Sequence, residues 1–181
     1  GQFSSNVRLW ADYNILNLLI SLPYYYYCFG EIKSFFKKIE NILLPNGRFE
    51  VLDFKTKHKK VIIDFAHTPE AMEKLLSQLS INYKDKIFLV FGCGGDRDKG
   101  KRPKMGAIAE KYATKIFLTS DNSRSESPDE IIDMIAAGIK DKLKIQVNKD
   151  REKAIQLAIN SMSQDNVLVV AGRGHENFQI E

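Results

Sequence analysis

Short apolar segments alternate with amphipathic helical patterns from residue 46 onward, and this alternation constrains the fold more than any other feature of the sequence. The apolar segments VIIDF, KIFLVF, KIFLTS and NVLVVAG have the length of buried strands, and helical patterns separate them. Apolar strands with intervening helices are typical of parallel sheets covered on both faces. The sequence therefore predicts an α/β fold with a Rossmann-like, mostly parallel sheet and helices on both faces.

The first 45 residues have a different pattern, which is helical. Apolar spacing predicts one helix over 13–22, interrupted by Pro23 and the tyrosines after it, and a second over 31–44. The segment LPNGRFEVL then supplies a turn and the start of a strand. We therefore expect two domains, a helical remnant of one domain over 1–45 and an α/β domain over 46–181.

Polar side chains follow four of the predicted strands at the point where each strand ends. Because ligands of open α/β sheets bind at the carboxyl ends of the strands, these side chains are expected to meet at one edge. They are Asp64 and His67 after the first strand, Arg97 after the second, Asp121, Asn122 and Arg124 after the third, and Glu176, next to the backbone of Gly172, after the last.

The loop FGCGGDRDKGKRP, residues 91–103, has four glycines among six charged residues and nearly matches a phosphate-binding P-loop. Arg102, however, stands where that motif needs serine or threonine to hold magnesium. The glycines would let backbone amides approach an anion, Arg97 could form a fork with a carboxylate or phosphate, and Lys101 and Arg102 would add positive charge. The alternative is a solvated turn.

Of the other three loops, the first two allow two interpretations each. Asp64 could accept two ribose hydroxyls or could cap the amides of its own loop, and His67 could contact a phosphate or a base. Asn122 and Arg124 could hold the ammonium and carboxylate of an amino acid, or DNSRSESP could be a capping loop with Ser125 or Ser127 as the cap of the next helix. Glu176 could accept an ammonium group.

Several classes of protein are disfavoured by composition. The net charge of +4, from 27 basic and 23 acidic residues, is too small to indicate a nucleic-acid partner. Cys28 and Cys93 lack the spacing of a disulfide framework or metal knuckle and suit a reducing compartment. No segment is long and apolar enough to span a membrane. The three histidines are too scattered for a metal site, so we expect no metal ligands in this chain.

The motifs NGRFEV, DFAHTP, GCGGDRDKGKRP, DNSRSESP and GRGHE resemble, in order and spacing, the C-terminal half of MurE-type Mur ligases. That family adds the third residue of the peptidoglycan stem peptide. The resemblance is strong over residues 46–181, and it makes residues 1–45 the end of the family's central ATPase domain.

The resemblance implies roles for particular residues. Nucleotide binding would involve Asn14 and Asn17 of YNILN, together with Arg48, Asp64 and His67. The amino acid meso-diaminopimelate would be bound by Arg97, Asp121, Asn122, Arg124, Gly172 and Glu176. Ser123 replaces the family's proline, and Arg173 replaces its usual lysine.

The resemblance also implies an ATP-dependent amide ligase of the cytoplasm. It would use ATP to form an acyl phosphate on UDP-MurNAc-L-Ala-D-Glu, and the amine of meso-diaminopimelate would attack it. We expect a monomer without nucleic-acid or membrane partners. The P-loop and the Mg²⁺ ligands would lie before residue 1, and a further tail would follow Glu181. We therefore expect no catalytic residue in this chain and no ligation by it alone.

Two other functions stay open. One is a lysine-adding or other ligase of the Mur superfamily, although such an enzyme is not expected to have arginine at position 124. The other is a non-catalytic α/β module that binds a nucleotide or another anion.

Overall fold

The computed structural model describes residues 6, 7, 9, 11–54 and 59–176, without the side chains of residues 53 and 54. The chain divides into two compact units, Gly1–Pro45 and Asn46–Glu181. The division falls where the composition changes from helical to alternating patterns. That the first unit is the end of an ATPase domain stays a prediction.

The first unit contains two helices, α1 (Asp12–Phe29) and α2 (Ile32–Ile39). The prediction that Pro23 ends the first helix is wrong, because α1 continues through it to Phe29. Proline removes one amide donor, but Pro23 is exposed, so water can bind the carbonyl that loses its partner. Gly30 ends the helix in the left-handed conformation, with φ of 70°.

Helix α2 is shorter than the predicted 31–44 and packs against the end of α1. The Tyr25 ring lies 4.6 Å from the Phe29 ring and 5.2 Å from the buried Phe35 ring. The hydroxyls of Tyr25 and Ser34 are 3.0 Å apart. Aromatic packing thus joins the two helices. Among the described residues, no helix is both long enough and apolar enough to cross a membrane.

The second unit is a six-stranded sheet with the order β1-β2-β6-β3-β4-β5. Only β1 is antiparallel to its neighbour among the described strands, and the other neighbours pair in parallel. The mostly parallel α/β sheet predicted from the sequence is therefore confirmed. The strands are β1 (Glu50–Phe54), β2 (Lys59–Asp64), β3 (Ile87–Phe91), β4 (Lys115–Leu118), β5 (Ile145–Val147) and β6 (Val167–Ala171).

Helices cover both faces of this sheet. On one face Ala154 and Ala158 of α6, with Met162 directly after the helix, pack with alternate residues of the central strands, including Val90 and Val170. The intervening strand residues face the other way and are also buried, under α3, α4 and α5 packed side by side. These helices are α3 (Pro69–Asn82), α4 (Lys101–Tyr112), α5 (Pro128–Ala137) and α6 (Arg151–Ser161), with a 3-10 turn at Lys142–Lys144.

The strand register brings the loops that follow the strands to one edge. Asp64 at the end of β2 pairs with Ala171 at the end of β6, and Phe91 at the end of β3 pairs with Leu118 at the end of β4. Parallel neighbours with aligned ends leave the following four loops side by side. The sheet therefore positions every polar segment singled out in the sequence of this unit.

Candidate functional site

A cavity of about 520 Å³ lies where these four loops meet, a volume ordinary for a small-molecule site. Phe65, Gly92, Asp121 and Gly172, which line it, each follow the end of a different strand. Seven of the side chains or backbones predicted to bind ligand also line it: His67, Arg97, Asp121, Asn122, Arg124, Gly172 and Glu176. Phe65 and Glu176, 111 positions apart in the sequence, thus share one cavity.

The charges around the cavity are mixed. The basic residues that line it are His67, Arg97, Lys101, Lys104 and Arg124, and the acidic ones are Glu70, Asp98, Asp121 and Glu176. The first turns of α3 and α4 also contribute to its wall, and the amides of a helix N-terminus favour anions. A ligand that has both carboxylate and ammonium groups would complement these charges.

Arg97 and Arg124 are the two guanidinium groups of the cavity. The Nη1 atom of Arg124 donates to the carbonyls of Gly95 at 2.8 Å and Asn122 at 3.2 Å, which orients the side chain. Arg97 is exposed. In the described part of the chain, no carboxylate lies within salt-bridge distance of either guanidinium group. Both can therefore pair with a carboxylate brought by a ligand.

Glu176 and Asn122 also line the cavity and contact each other. Asn122 Nδ2 donates to Glu176 Oε2 at 3.1 Å, and the Asn122 amide donates to Asp121 Oδ1 at 2.6 Å. Gly172 has a φ of 111°, and a Cβ there would lie 3.1 Å from Asp121 Oδ2. Glycine therefore suits this position both in its backbone conformation and in the space available.

Arg173, which stands where the resemblance leads one to expect lysine, reaches the same carboxylate. Its Nε atom lies 3.7 Å from Glu176 Oε2. Glu176 is thus positioned by two neighbours while it lines the cavity.

Asp64 is buried behind the cavity rather than lining it. Its Oδ2 accepts the amide of Phe49 and its Oδ1 the amide of Ala66, both at 2.8 Å. Burial raises the pKa of Asp64, although the two amides and the nearby Arg48 lower it. The capping interpretation of Asp64 is therefore confirmed. Its proposed contact with ribose would use lone pairs that these bonds leave available.

Of the other residues of the second unit predicted to bind nucleotide, His67 lines the cavity and Arg48 does not. The Arg48 guanidinium lies over the Phe65 ring at 4.4 Å, and the His67 ring packs edge-on against Phe65 at 4.6 Å. His67 Nδ1 is 2.9 Å from the Phe65 carbonyl oxygen. Asn14 is buried and Asn17 exposed on α1, in the first unit.

Residues 92–100 are here called the glycine-rich loop. Because glycine has no side chain, a second loop can pack closely against this segment. The Gly95 amide donates to the Asn122 carbonyl at 2.8 Å, and a Cβ on Gly95 would lie 1.8 Å from the Ser123 carbonyl oxygen. The expectation that the glycine amides face an anion is therefore wrong for Gly95. Its close packing against residues 119–127, the β4–α5 loop, is the physical reason that no larger residue fits.

Arg102 does not add charge to the cavity, contrary to the prediction. It is fully buried and forms two hydrogen bonds with Glu126. The hydrogen bonds from Arg102 hold the pKa of Glu126 well below its ordinary value, so both groups stay charged and their charges cancel. A local signal existed, because helical spacing places Arg102 on the same face as the buried Met105 and Ala109.

The predicted cap of α5 also differs. Ser127 occupies the position before the helix, but its side chain makes no capping hydrogen bond. Ser125 bonds to Asp96 instead, and Glu126 contacts the glycine-rich loop. Both side chains hold loops together, a role that depends on a distant part of the chain.

Two kinds of chemistry find no support in the site. Burial raises the pKa of Cys93 to about 11, so its thiol stays protonated at neutral pH and is a poor nucleophile. Among the described residues, no group of three or more histidine, cysteine or acidic side chains could hold a metal ion. What the site offers is binding and orientation of a charged small molecule.

The fold and the cavity define a Rossmann-like ligand-binding domain, with its site at the carboxyl edge of the sheet. The sequence profile of the family described as "Mur ligase, glutamate ligase domain" matches residues 47–174. The chain therefore belongs to the Mur ligase family.

Its relatives include two proteins named UDP-N-acetylmuramoyl-L-alanyl-D-glutamate–2,6-diaminopimelate ligase. The one from Wigglesworthia glossinidia brevipalpis is 41% identical over 175 residues, 97% of this chain and 35% of the relative. The one from Coxiella burnetii is 39% identical over 179 residues, 99% of this chain and 36% of the relative. The chain thus spans about a third of the length of these relatives.

Solved structures give the same assignment. A structure of a ligase with that name is 31% identical, with a TM-score of 0.71, and the match covers 99% of this chain and 37% of that one. A folylpolyglutamate synthase from Thermotoga maritima matches with a TM-score of 0.66 at 22% identity, over 92% of this chain and 37% of that one. The second likeness shows a shared fold only.

Proposed function

We propose that this chain supplies the amino-acid site of an ATP-dependent amide ligase that adds meso-diaminopimelate to UDP-MurNAc-L-Ala-D-Glu in peptidoglycan synthesis. The observation that supports it most is the gathering of Arg97, Arg124 and Glu176 around one cavity. The names of the relatives, which are diaminopimelate ligases, support the choice of substrate.

The charges of the cavity suit this amino acid. Diaminopimelate has an amino acid group at each end, so a site that excludes water must pair two carboxylates and an ammonium group. Arg97 would bind one carboxylate and Arg124 the distal one, as forked pairs. Asp121, Asn122 and Glu176, with the Gly172 backbone, would bind the distal ammonium end. The amine that reacts is then held in place, which is mainly a problem of positioning.

The reaction itself would need ATP and a second substrate. ATP would phosphorylate the terminal carboxylate of UDP-MurNAc-L-Ala-D-Glu, and the bound amine would displace phosphate from the acyl phosphate to form the amide. Arg48, Asp64 and His67, with Asn14 and Asn17, would contact the nucleotide. Magnesium would offset the phosphate charge, held by residues outside this chain.

Solved structures that share this fold contain nucleotides or a metal ion. One folylpolyglutamate synthase was solved with ADP and AMPPCP, and another with AMPPNP and a manganese ion. The proposal also includes action as a monomer in the cytoplasm, without nucleic-acid or membrane partners, and through peptidoglycan a role in cell shape and division.

The test is the substitution Arg124→Ala in the intact protein. The activity of the variant is measured as the rate of ADP release. A distal carboxylate without its partner should cost about 1.5–3 kcal/mol, which is roughly a 10- to 150-fold rise in the KM for meso-diaminopimelate. The KM for ATP should stay within about 3-fold, since Arg124 is not assigned to the nucleotide. Lys149→Ala, which removes an exposed cation paired with Asp129, is the matched control and should change neither value.

Each alternative function has its own outcome in this experiment. Unchanged use of meso-diaminopimelate by the Arg124→Ala variant would refute the proposed site. A wild-type protein that uses lysine in preference to meso-diaminopimelate would be a lysine-adding ligase. Absence of ADP release with both substrates present would favour a non-catalytic binding module.

A further inference from the structure

A buried ion pair joins Arg102 of α4 to Glu126 of the β4–α5 loop, and Arg102 contacts Gly94 of the cavity lining. Arg102 Nη1 donates to Glu126 Oε2 at 2.9 Å, and Nη2 donates to Oε1 at 2.8 Å. The Arg102 side chain is 0% exposed and that of Glu126 10%. A two-point contact of this kind fixes the orientation of both groups, not only their distance.

The Glu126 carboxylate also binds the glycine-rich loop. Its Oε1 accepts the backbone amide of Asp96 at 2.7 Å, and its Oε2 lies 3.1 Å from Lys99 Nζ. Arg102 Nη2 adds a contact to the Gly94 carbonyl at 3.3 Å. One carboxylate therefore connects α4, the glycine-rich loop and the β4–α5 loop.

The residues held in this way are next to the two arginines of the cavity. Arg97 follows Asp96, which has a left-handed φ of 54°, and Arg124 precedes Ser125, which hydrogen-bonds to the Asp96 carboxylate. Arg124 has a φ of 51°. Asp96 and Arg124, both non-glycine residues, are stabilised in this conformation by contacts from other parts of the chain, and the Glu126 carboxylate supplies one of them to Asp96.

We propose that Arg102 and Glu126 are positioning residues that set the spacing between Arg97 and Arg124, and so the length of dicarboxylic amino acid that the cavity accepts. This inference rests on the proposed function. Stability alone is a weak reason for such a pair, because well-packed apolar residues often replace a buried ion pair without loss. A pair that aligns two loops, by contrast, has no apolar substitute.

The test compares Glu126→Gln with the matched Glu73→Gln in the intact protein. Glu73 also accepts hydrogen bonds from two side chains, from Lys111 at 2.7 Å and from the Tyr112 hydroxyl. It does not line the cavity. Displacing the arginines by even about 1 Å can cost up to roughly 100-fold, so the KM for meso-diaminopimelate should rise about 10- to 100-fold in Glu126→Gln. The KM for ATP should stay within about 3-fold, and Glu73→Gln should leave both unchanged.

A double variant, Arg102→Met with Glu126→Gln, separates positioning from stability. Glu126→Gln alone would leave the buried Arg102 charge without a partner, and Arg102→Met removes that charge. The amide side chain introduced at position 126 keeps an oxygen that can accept a hydrogen bond from the Asp96 amide. We expect a cooperative thermal transition within a few degrees of the wild type, together with the raised KM for meso-diaminopimelate. This variant decides the question even where Glu126→Gln does not fold.

The outcomes are distinct. A folded double variant with a wild-type KM for meso-diaminopimelate would overturn the positioning role and leave a purely structural pair. A raised KM for ATP and for meso-diaminopimelate to the same extent would overturn it as well. A wild-type protein that does not consume meso-diaminopimelate would instead refute the proposed function.

Discussion

Replacement of Asp64 by alanine should destabilise the protein strongly, whatever ligand it binds. The substitution leaves the amides of Phe49 and Ala66, both now bonded at 2.8 Å, without an acceptor at a position that is 8% exposed. A buried donor without a partner costs about 1–3 kcal/mol, so two should cost about 2–6 kcal/mol. That is a large share of the roughly 5–15 kcal/mol by which a typical domain is stable.

The measurement is urea unfolding followed by far-ultraviolet circular dichroism. Asp64→Ala should lower the midpoint without changing the denaturant slope. Asp64→Asn keeps one acceptor oxygen and should lose about half as much free energy of unfolding. Asp98→Ala is the control, because Asp98 also accepts a backbone amide, that of Gly100 at 2.8 Å, but is exposed. Its change should stay within about 1 kcal/mol.

A loss below about 1 kcal/mol in Asp64→Ala would refute the assignment of Asp64 as a buried amide acceptor. An equal loss in Asp98→Ala would also refute it, since burial would then be irrelevant. A stability change that appears only with bound nucleotide would point to ribose contact as the main role of Asp64.

Two further predictions concern the glycine-rich loop and the cysteines. Gly95→Ala should destabilise the protein by about 1–3 kcal/mol in the same urea assay, because the new Cβ would lie 1.8 Å from the Ser123 carbonyl oxygen. Gly100→Ala, whose Cβ would lie 3.2 Å from its nearest neighbour, should change stability by less than about 1 kcal/mol, and equal losses would contradict the loop-packing argument. In native buffer at pH 8, a thiol reagent should modify the exposed Cys28 quickly and the buried Cys93, with its pKa near 11, only after denaturation. Equal rates for the two thiols in the native protein would show that Cys93 is accessible.

The sequence was a good guide to the polar residues that meet at one edge of the sheet. Asp121, Arg124 and Glu176 line one cavity as predicted, because loops after parallel strands must lie side by side. The argument needed only the order of strands and helices, which side-chain periodicity reveals locally.

The sequence was a poor guide to how individual polar groups are used. Pro23 lies inside a helix, Gly95 packs against a neighbouring loop, and Arg102 is buried rather than facing the cavity. Local rules describe what a residue permits. They do not predict which distant group will form a hydrogen bond, an ion pair or a packing contact with that residue.

The amino-acid sequence by itself determined the alternation of strands and helices, the boundary near residue 46 and the loops whose polar residues line the cavity. Only the tertiary structure decided that Glu126 binds Arg102, 24 residues away, and that Asp64 holds the amide of Phe49, 15 residues before it. Periodicity is a property of neighbouring residues, whereas these bonds form because burial in the folded chain leaves each charged or polar group with few other partners.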